Sequence, residues 1–309
     1  MTLEQLNKRI KTTRDLKDIV STMKLMSSVS VGPYEKAFAS AQEYFKTLEE
    51  AFLAFTLTTG WMPPKEKALP ADQKRAIMIV IGTDNGLVGG FNREVLKSAD
   101  LYLKQHHYPI EQTDLICIGR RLAVTNARSR KAVGVFQISN SIKELTPLAG
   151  AVLETIDQLT STRNTHAVFL TFNEKKDQKI RPRTVQLMPL SDIWLQSLKK
   201  RRWEGRMQPM MPAPKEALLK AFSREYLSVV LAGALTASLS AEHYTRMLNM
   251  QQAEKNIEES LQQMDLEYQQ ARQTAVTDEL IDIVSGAESL TKQLRGKGKL
   301  PLDKRKKKG

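Results

Sequence analysis

MLNMQQAEKNIEESLQQMDLEYQQARQTA, residues 247–275, is the stretch from which the fold can be read. Met250, Ile257, Met264 and Ala271 stand seven residues apart, and Met247, Leu261, Tyr268 and Ala275 keep the partner register with Glu254 as a polar intruder. Two seam positions per seven residues is the pattern of a coiled coil, not of a helix lying on a globule. No Pro or Gly falls between Gly233 and Gly286, so one helix is expected from Lys215 to Leu290. At about 1.5 Å per residue it would span roughly 110 Å, more than a single domain of this size needs. Such an element calls for a partner helix inside the chain and for surroundings into which it can project.

The partner is expected at the other end. Leu3, Leu6, Ile10, Leu16, Ile19, Met23 and Met26, with Thr13 in a gap, recur at mostly three- and four-residue intervals, and Phe38, Ala41, Phe45, Leu48 and Phe52 continue the spacing. This predicts a helix over residues 2–58 whose seam carries those side chains. Gly32-Pro33 interrupts it, since an internal proline removes a backbone hydrogen bond, and a kink or break is expected near Val29. Because the intervening chain returns to its start, the two helices should pair antiparallel.

Between them the period changes. Thr59-Gly60, Pro63-Pro64 and Pro70 read as a linker, and Ala76–Ile81 (AIMIVI) as a buried strand. A helix is expected at 92–106, a strand at 115–118, a helix around 119–128, a strand at 133–138, a helix at 145–162 and a strand at 167–172. Such alternation implies a mostly parallel sheet with crossover helices. Residues 184–190, bracketed by Pro182 and Pro189, read as an edge strand. The Met- and Pro-rich stretch after KKRRWEGR (199–206) reads as a hinge returning to the last helix. The expected fold class is α/β plus coiled coil: long antiparallel terminal helices with an inserted, Rossmann-like α/β domain. The divisions are 1–60, 70–200, 210–290 and a basic, disordered tail at 291–309.

Composition narrows the function. The 309 residues carry a net charge of +13, but the stretch from Thr291 holds nine Lys or Arg against one Asp, so the body is only mildly basic. One cysteine, Cys117, excludes a disulfide framework and fits a cytosolic compartment. The N-terminus shows no secretory signal, and no apolar run is long enough to span a membrane. GTDNGLVGGFN (82–92) follows a strand and precedes a helix, as a phosphate loop would. It lacks the GxxxxGK[ST] lysine and the GxGxxG spacing, so a tight turn built on glycines is the expected role. His106, His107, His166 and His243 stand in no ligand spacing, and no carboxylate pair or nucleophile set stands out. No catalytic residue, metal site or cofactor is expected.

Several stretches then add up. Arg246-Met247-Leu248-Asn249-Met250 with Ala253 and Asn256, the run from Tyr268 to Gln273 with Thr277, Glu279, Leu280 and Ile283–Ala287, the opening helix from Leu3 to Ser28, the TDNGLVGGFN turn and Leu187–Leu190 resemble, in order, the γ subunit of F-type ATP synthases. The resemblance implies a central stalk: an antiparallel coiled coil inside a hexamer of α and β subunits, one γ per complex, with the α/β domain at the foot against the ε subunit and the membrane c-ring. It implies no specific nucleic acid and a peripheral place on the cytoplasmic face of the inner membrane. By similarity Arg272, Gln273 and Thr277 would face a β-subunit loop and Met23 the β subunit's moving lever. Asp84, Gly86, Gly89 and Gly90 would form the turn that opens the foot domain.

The chain departs from the pattern at Ser30, where a basic residue is usual, at Gly32-Pro33, at Asn85 and Val88 in the turn, and in its added basic tail. These departures suggest a divergent branch, such as a sodium-type ATPase of the same class. Tethering or braking is the role expected of such a tail. The alternative from another class is a basic coiled-coil protein that binds nucleic acid through the tail and the KKRRW segment, marked by steep salt dependence.

Overall fold

The computed structural model describes residues 2–61, 70, 74–127, 130–163, 165–190, 194, 196, 201, 203 and 209–297, with side chains to 289. Pro63, Pro64, most of the KKRRWEGR segment and the tail beyond 297 lie outside the described residues. The elements in order are α1 (Leu3–Thr59), β1 (Ala76–Ile81), α2 (Phe91–Gln105), β2 (Thr113–Ile118), α3 (Arg120–Asn126), β3 (Gly134–Phe136), α4 (Ile142–Arg163), β4 (Ala167–Lys176), β5 (Lys179–Met188) and α5 (Lys215–Lys297). The terminal helices are long and the sheet lies between them in sequence, as the periodicities require. The chain separates into two compact units, residues 1–21 with 252–309, and residues 22–251.

In the first unit α1 and α5 pair antiparallel. Leu6, Ile10 and Met264 are buried together with Leu261 and Tyr268 around them, so the heptad read from α5 is the seam. Each fully buried side chain of this size adds about 1.5–3 kcal/mol. The pairing is then indexed by charge: Lys17 Nζ lies 2.8 Å from Glu258 and Arg14 3.3 Å from Asp265. Ion pairs this exposed add little stability, but they penalise any other register.

The α1 seam differs from the expected one. Leu16, Ile19 and Met26 are 49%, 56% and 65% exposed. Thr13, Lys17, Val20 and Lys24 are half-buried and Ser27 is buried. The reason is continuity of register. Counting from Leu6 and Ile10, alternating steps of three and four pass through 13, 17, 20, 24 and 27 to the buried Val31 and Tyr34. Turning the stripe of Leu16, Ile19, Met23 and Met26 inward would rotate the helix by about 100° there and break both flanking layers. Glu254 and Glu258 on α5 supply the opposite charge around Lys17, whose ammonium is held above its usual range, first by its hydrogen bond to Glu258.

The second unit holds the sheet, in the order β3-β2-β1-β4-β5, with β1–β4 parallel and β5 antiparallel at the edge. The apolar run of β1 is buried on both faces. Ile77, Ile79 and Ile81 join Ile116, Ile118, Val168 and Leu170 under α4 and under Tyr34 of α1 and Leu231, Ala234 and Leu235 of α5. Met78 and Val80 face the other way, with Cys117 and Phe169, under Val95, Ala99 and Leu103 of α2 and Leu122 of α3. The expected edge strand is part of a longer hairpin. Asp177 and Gln178 both have positive φ (50° and 62°) and make the two-residue turn from β4 to β5. Pro182 sits inside β5, tolerated because the strand is an edge.

The break expected at Gly32-Pro33 is absent: α1 runs unbroken through Pro33. The proline lies on the exposed side, between Val31 and Tyr34, which are both buried. Packing on either side holds the helical path, although the proline has no N–H to donate to the Val29 carbonyl. Nothing lies within 4 Å of a methyl added at Gly32. Gly32→Ala is therefore expected to stabilise the protein by about 0.5–1 kcal/mol. Pro33→Ala, which restores a helical hydrogen bond, should add on the order of 1–3 kcal/mol. A higher thermal midpoint for each single variant checks this, and a lower one for Pro33→Ala would show that the proline conformation is needed.

Candidate interaction sites

The sequence-predicted residues fall into three places. In the first unit Arg272, Gln273 and Thr277 are exposed on α5. Thr277 Oγ1 donates to the Gln273 backbone carbonyl at 2.8 Å, a bond within the helix. Beyond Ala275 every described residue to Ser289 is exposed. This stretch carries Val276, Leu280, Ile281, Ile283 and Val284, with Ile283 at 68% exposure. The apolar layer of α1 at Leu6 and Ile10 meets α5 at Leu261, Met264 and Tyr268, ahead of this stretch. Apolar side chains around a helix that no described element covers mark an interaction surface.

Met23, in the second unit, is half-buried on α1, with Leu25, Met26 and Val29 exposed near it. The foot-domain turn lies elsewhere in the same unit. Asp84 is its anchor: one carboxylate oxygen accepts from the Arg120 backbone N–H at 2.5 Å and the other from that of Ile138 at 2.7 Å. The turn is thereby tied to the chain after β2 and after β3. Asn92 holds its base, accepting from Thr83 N–H at 3.1 Å and donating to Thr83 Oγ1 at 3.0 Å. Gly89 has φ +57°, a left-handed value that glycine adopts freely. Gly86 and Gly90 lie in the same segment between β1 and α2. Its apolar residues Val88 and Phe91 pack with Ala241 of α5 and Ile180 of β5.

Sequence reasoning missed the helix residues under this turn. Arg246 is buried, is paired with Glu242 one helical turn earlier, and donates to the Gly86 carbonyl at 3.5 Å. Asn249 donates to the Leu87 carbonyl at 3.2 Å. Burial pushes the Glu242 carboxyl up to about 7, against the pull of Arg246 and with Asp84 adding to the rise. Burial and then Arg246 hold the His243 imidazole down at about 4. The i,i+4 spacing of Glu242 and Arg246 was the signal available in the sequence.

Among the described residues no helix is long and apolar enough to cross a membrane. Residues 2–290 match the family model described as ATP synthase. The ATP synthase gamma chain of Trichlorobacter lovleyi is 28% identical over 293 residues, covering 93% of this chain and 98% of that one. That of Anaeromyxobacter dehalogenans is 28% identical over 295 residues, covering 93% and 99%. A chain of the Euglena gracilis mitochondrial ATP synthase, in an OSCP/F1/c-ring structure, superposes with a TM-score of 0.63 at 17% identity, covering 98% of both chains. One from the central stalk/c-ring structure of Tetrahymena thermophila ATP synthase gives 0.54 at 16% identity, covering 76% of this chain and 99% of that one. With the family model matched over almost its full described length and curated gamma chains aligned end to end, this chain belongs to the ATP synthase gamma-chain family.

Proposed function

We propose that this chain is the central-stalk subunit of an F-type ATP synthase, coupling ion flow through a membrane ring to ATP synthesis or hydrolysis on β subunits by rotation. The observation that carries this reading is the end of α5, where five apolar side chains stand exposed around one helix. A helix end of this kind is stable inside an apolar sleeve that other subunits provide, and a sleeve that surrounds it leaves it free to turn.

The partners are α and β subunits, one copy of this chain per hexamer, with an ε subunit and the c-ring at the α/β domain. The chain supplies no catalytic group and works as a peripheral subunit on the cytoplasmic face of the inner membrane. Arg272, Gln273 and Thr277 make polar contacts to β near the helix end, and Met23, beside the outward apolar residues of α1, meets β lower down. The shaft is made by residues 1–60 and 210–290 and the foot by 70–200. The nucleic-acid alternative rests on charge alone.

The test is co-expression with α and β subunits of the same source. The expected product holds one copy per hexamer and hydrolyses ATP, and Arg272→Ala or Gln273→Ala lowers turnover about tenfold, the loss of one charge-assisted contact. A chain that stays apart from α and β, and binds RNA with steep salt dependence, would overturn the reading.

A further inference from the structure

The contacts around the glycine turn form a closed circuit. From Asp84 it passes to the Ile138 N–H at 2.7 Å and along the chain to the Asn140 carbonyl, which accepts from the Tyr34 hydroxyl at 2.5 Å. The Tyr34 ring is stacked on His243, centroids 5.4 Å apart and planes 12° from parallel. His243 lies on α5 beside Arg246, whose guanidinium returns to the turn at Gly86, and Asn249 repeats the return one helical turn later at Leu87. Leu87 sits at φ +67° without being a glycine, a conformation that the surrounding contacts must hold. One circuit thus holds α5 at His243, Arg246 and Asn249 and takes in α1.

We propose that this circuit is the keyed joint through which torque passes between the paired helices and the α/β domain, with Tyr34, Arg246 and Asn249 as positioning residues. The inference rests on the central-stalk reading above. The rest of the α5 seat explains the need for a key. Leu231, Ala234, Leu235, Ala237 and Leu239 seat the helix in the core around the sheet through apolar contacts, which carry no hydrogen bond. Apolar packing holds the helix against the sheet but is indifferent to the direction of a tangential load. Hydrogen bonds to fixed backbone carbonyls and a stacked ring pair are directional, and they hold neighbouring positions on α5, residues 243, 246 and 249. Glu242, paired with Arg246, holds the guanidinium aimed at the turn. A joint of this kind works by not moving: turn and helix travel together through the cycle.

The experiment uses the assembled, membrane-bound complex in vesicles and reads ions pumped per ATP hydrolysed. Tyr34→Phe with Leu87→Cys and Asn249→Cys removes both the hydroxyl bolt and the Leu87 bolt. Hydrolysis is expected to continue while the ratio falls about threefold to tenfold, the range over which network residues alter coupling. A short bis-maleimide between the two new thiols should then restore the ratio. Cys117 is buried, with its thiol pushed up to about 11, and does not compete. An unchanged ratio before crosslinking would overturn the proposal. So would a crosslinked complex that stops hydrolysing, because the turn would then have to move against α5. A wild-type chain that fails to assemble with α and β would instead remove the central-stalk reading, and this shows before any variant is made.

Discussion

Gly119→Ala should destabilise the second unit by about 2–5 kcal/mol, the combined range for a strained backbone and an overfilled contact. The glycine ends β2 with φ +119°, a value that side chains other than glycine rarely adopt. A Cβ built there would lie 2.8 Å from the Thr83 carbonyl oxygen and 2.9 Å from its nitrogen. Both are backbone atoms, and both are held: Thr83 O accepts from the Arg121 N–H at 3.0 Å and Thr83 N–H donates to Asn92. There is no flexible side chain to move aside, so β1, the glycine turn and the start of α3 would have to part. Chemical denaturation of the purified chain or complex reads the loss. A variant within about 0.5 kcal/mol of the parent, the range of an ordinary surface change, would mean that the close approach at Thr83 is not maintained.

Arg246→Leu carries the other large effect, and its size should depend on pH. Removing one partner of a buried pair costs about 3–5 kcal/mol when the other stays charged. Here the remaining partner can take up a proton. Burial already raises the folded-state Glu242 carboxyl to about 7, and losing Arg246 raises it further, while the unfolded value stays near 4.5. The variant therefore folds with Glu242 protonated, and its stability falls as pH rises above 4.5, by at most about 1.4 kcal/mol per pH unit. The gap between parent and variant should be smallest near pH 5 and widest above pH 8. A pH-independent gap would show that losing Arg246 leaves the folded-state Glu242 value unchanged. In the parent, His243 works the opposite way. Its folded-state value is depressed to about 4, so its contribution is present above about 6.5 and is lost as pH falls toward 4. Glu242 gains stability over much of that same fall, and the two largely offset each other.

How far the sequence could be read depended on whether a signal was local. The α5 seam was legible because seven-residue spacing of Met250, Ile257, Met264 and Ala271 is a property of one segment. The buried β1 was legible because six consecutive apolar residues fit a strand covered on both faces. The α1 seam was misread because the apolar stripe of Leu16, Ile19, Met23 and Met26 competes with a register set elsewhere, by Leu6 and Ile10 before it and Val31 and Tyr34 after it. Pro33 was read as a break because the packing that carries the helix through it comes from distant elements. The β4–β5 hairpin escaped because its turn is Asp177-Gln178, with no glycine to mark positive φ. The circuit around α5 was least legible, since Tyr34, Asp84, Asn140 and His243 meet only once the sheet has formed between the helices.

The packing of Val88 and Phe91 against Ala241 lies where β1 and β4 run out in the same direction while their connections diverge to opposite sides. In an open α/β sheet that notch is where a nucleotide usually settles. In this chain a turn of α5 occupies it. The architecture has kept the cradle and filled it permanently with a covalent tenant, so a soluble nucleotide would have to displace a helix to enter. A domain filled in this way offers a soluble ligand no open seat at that notch, whatever its concentration.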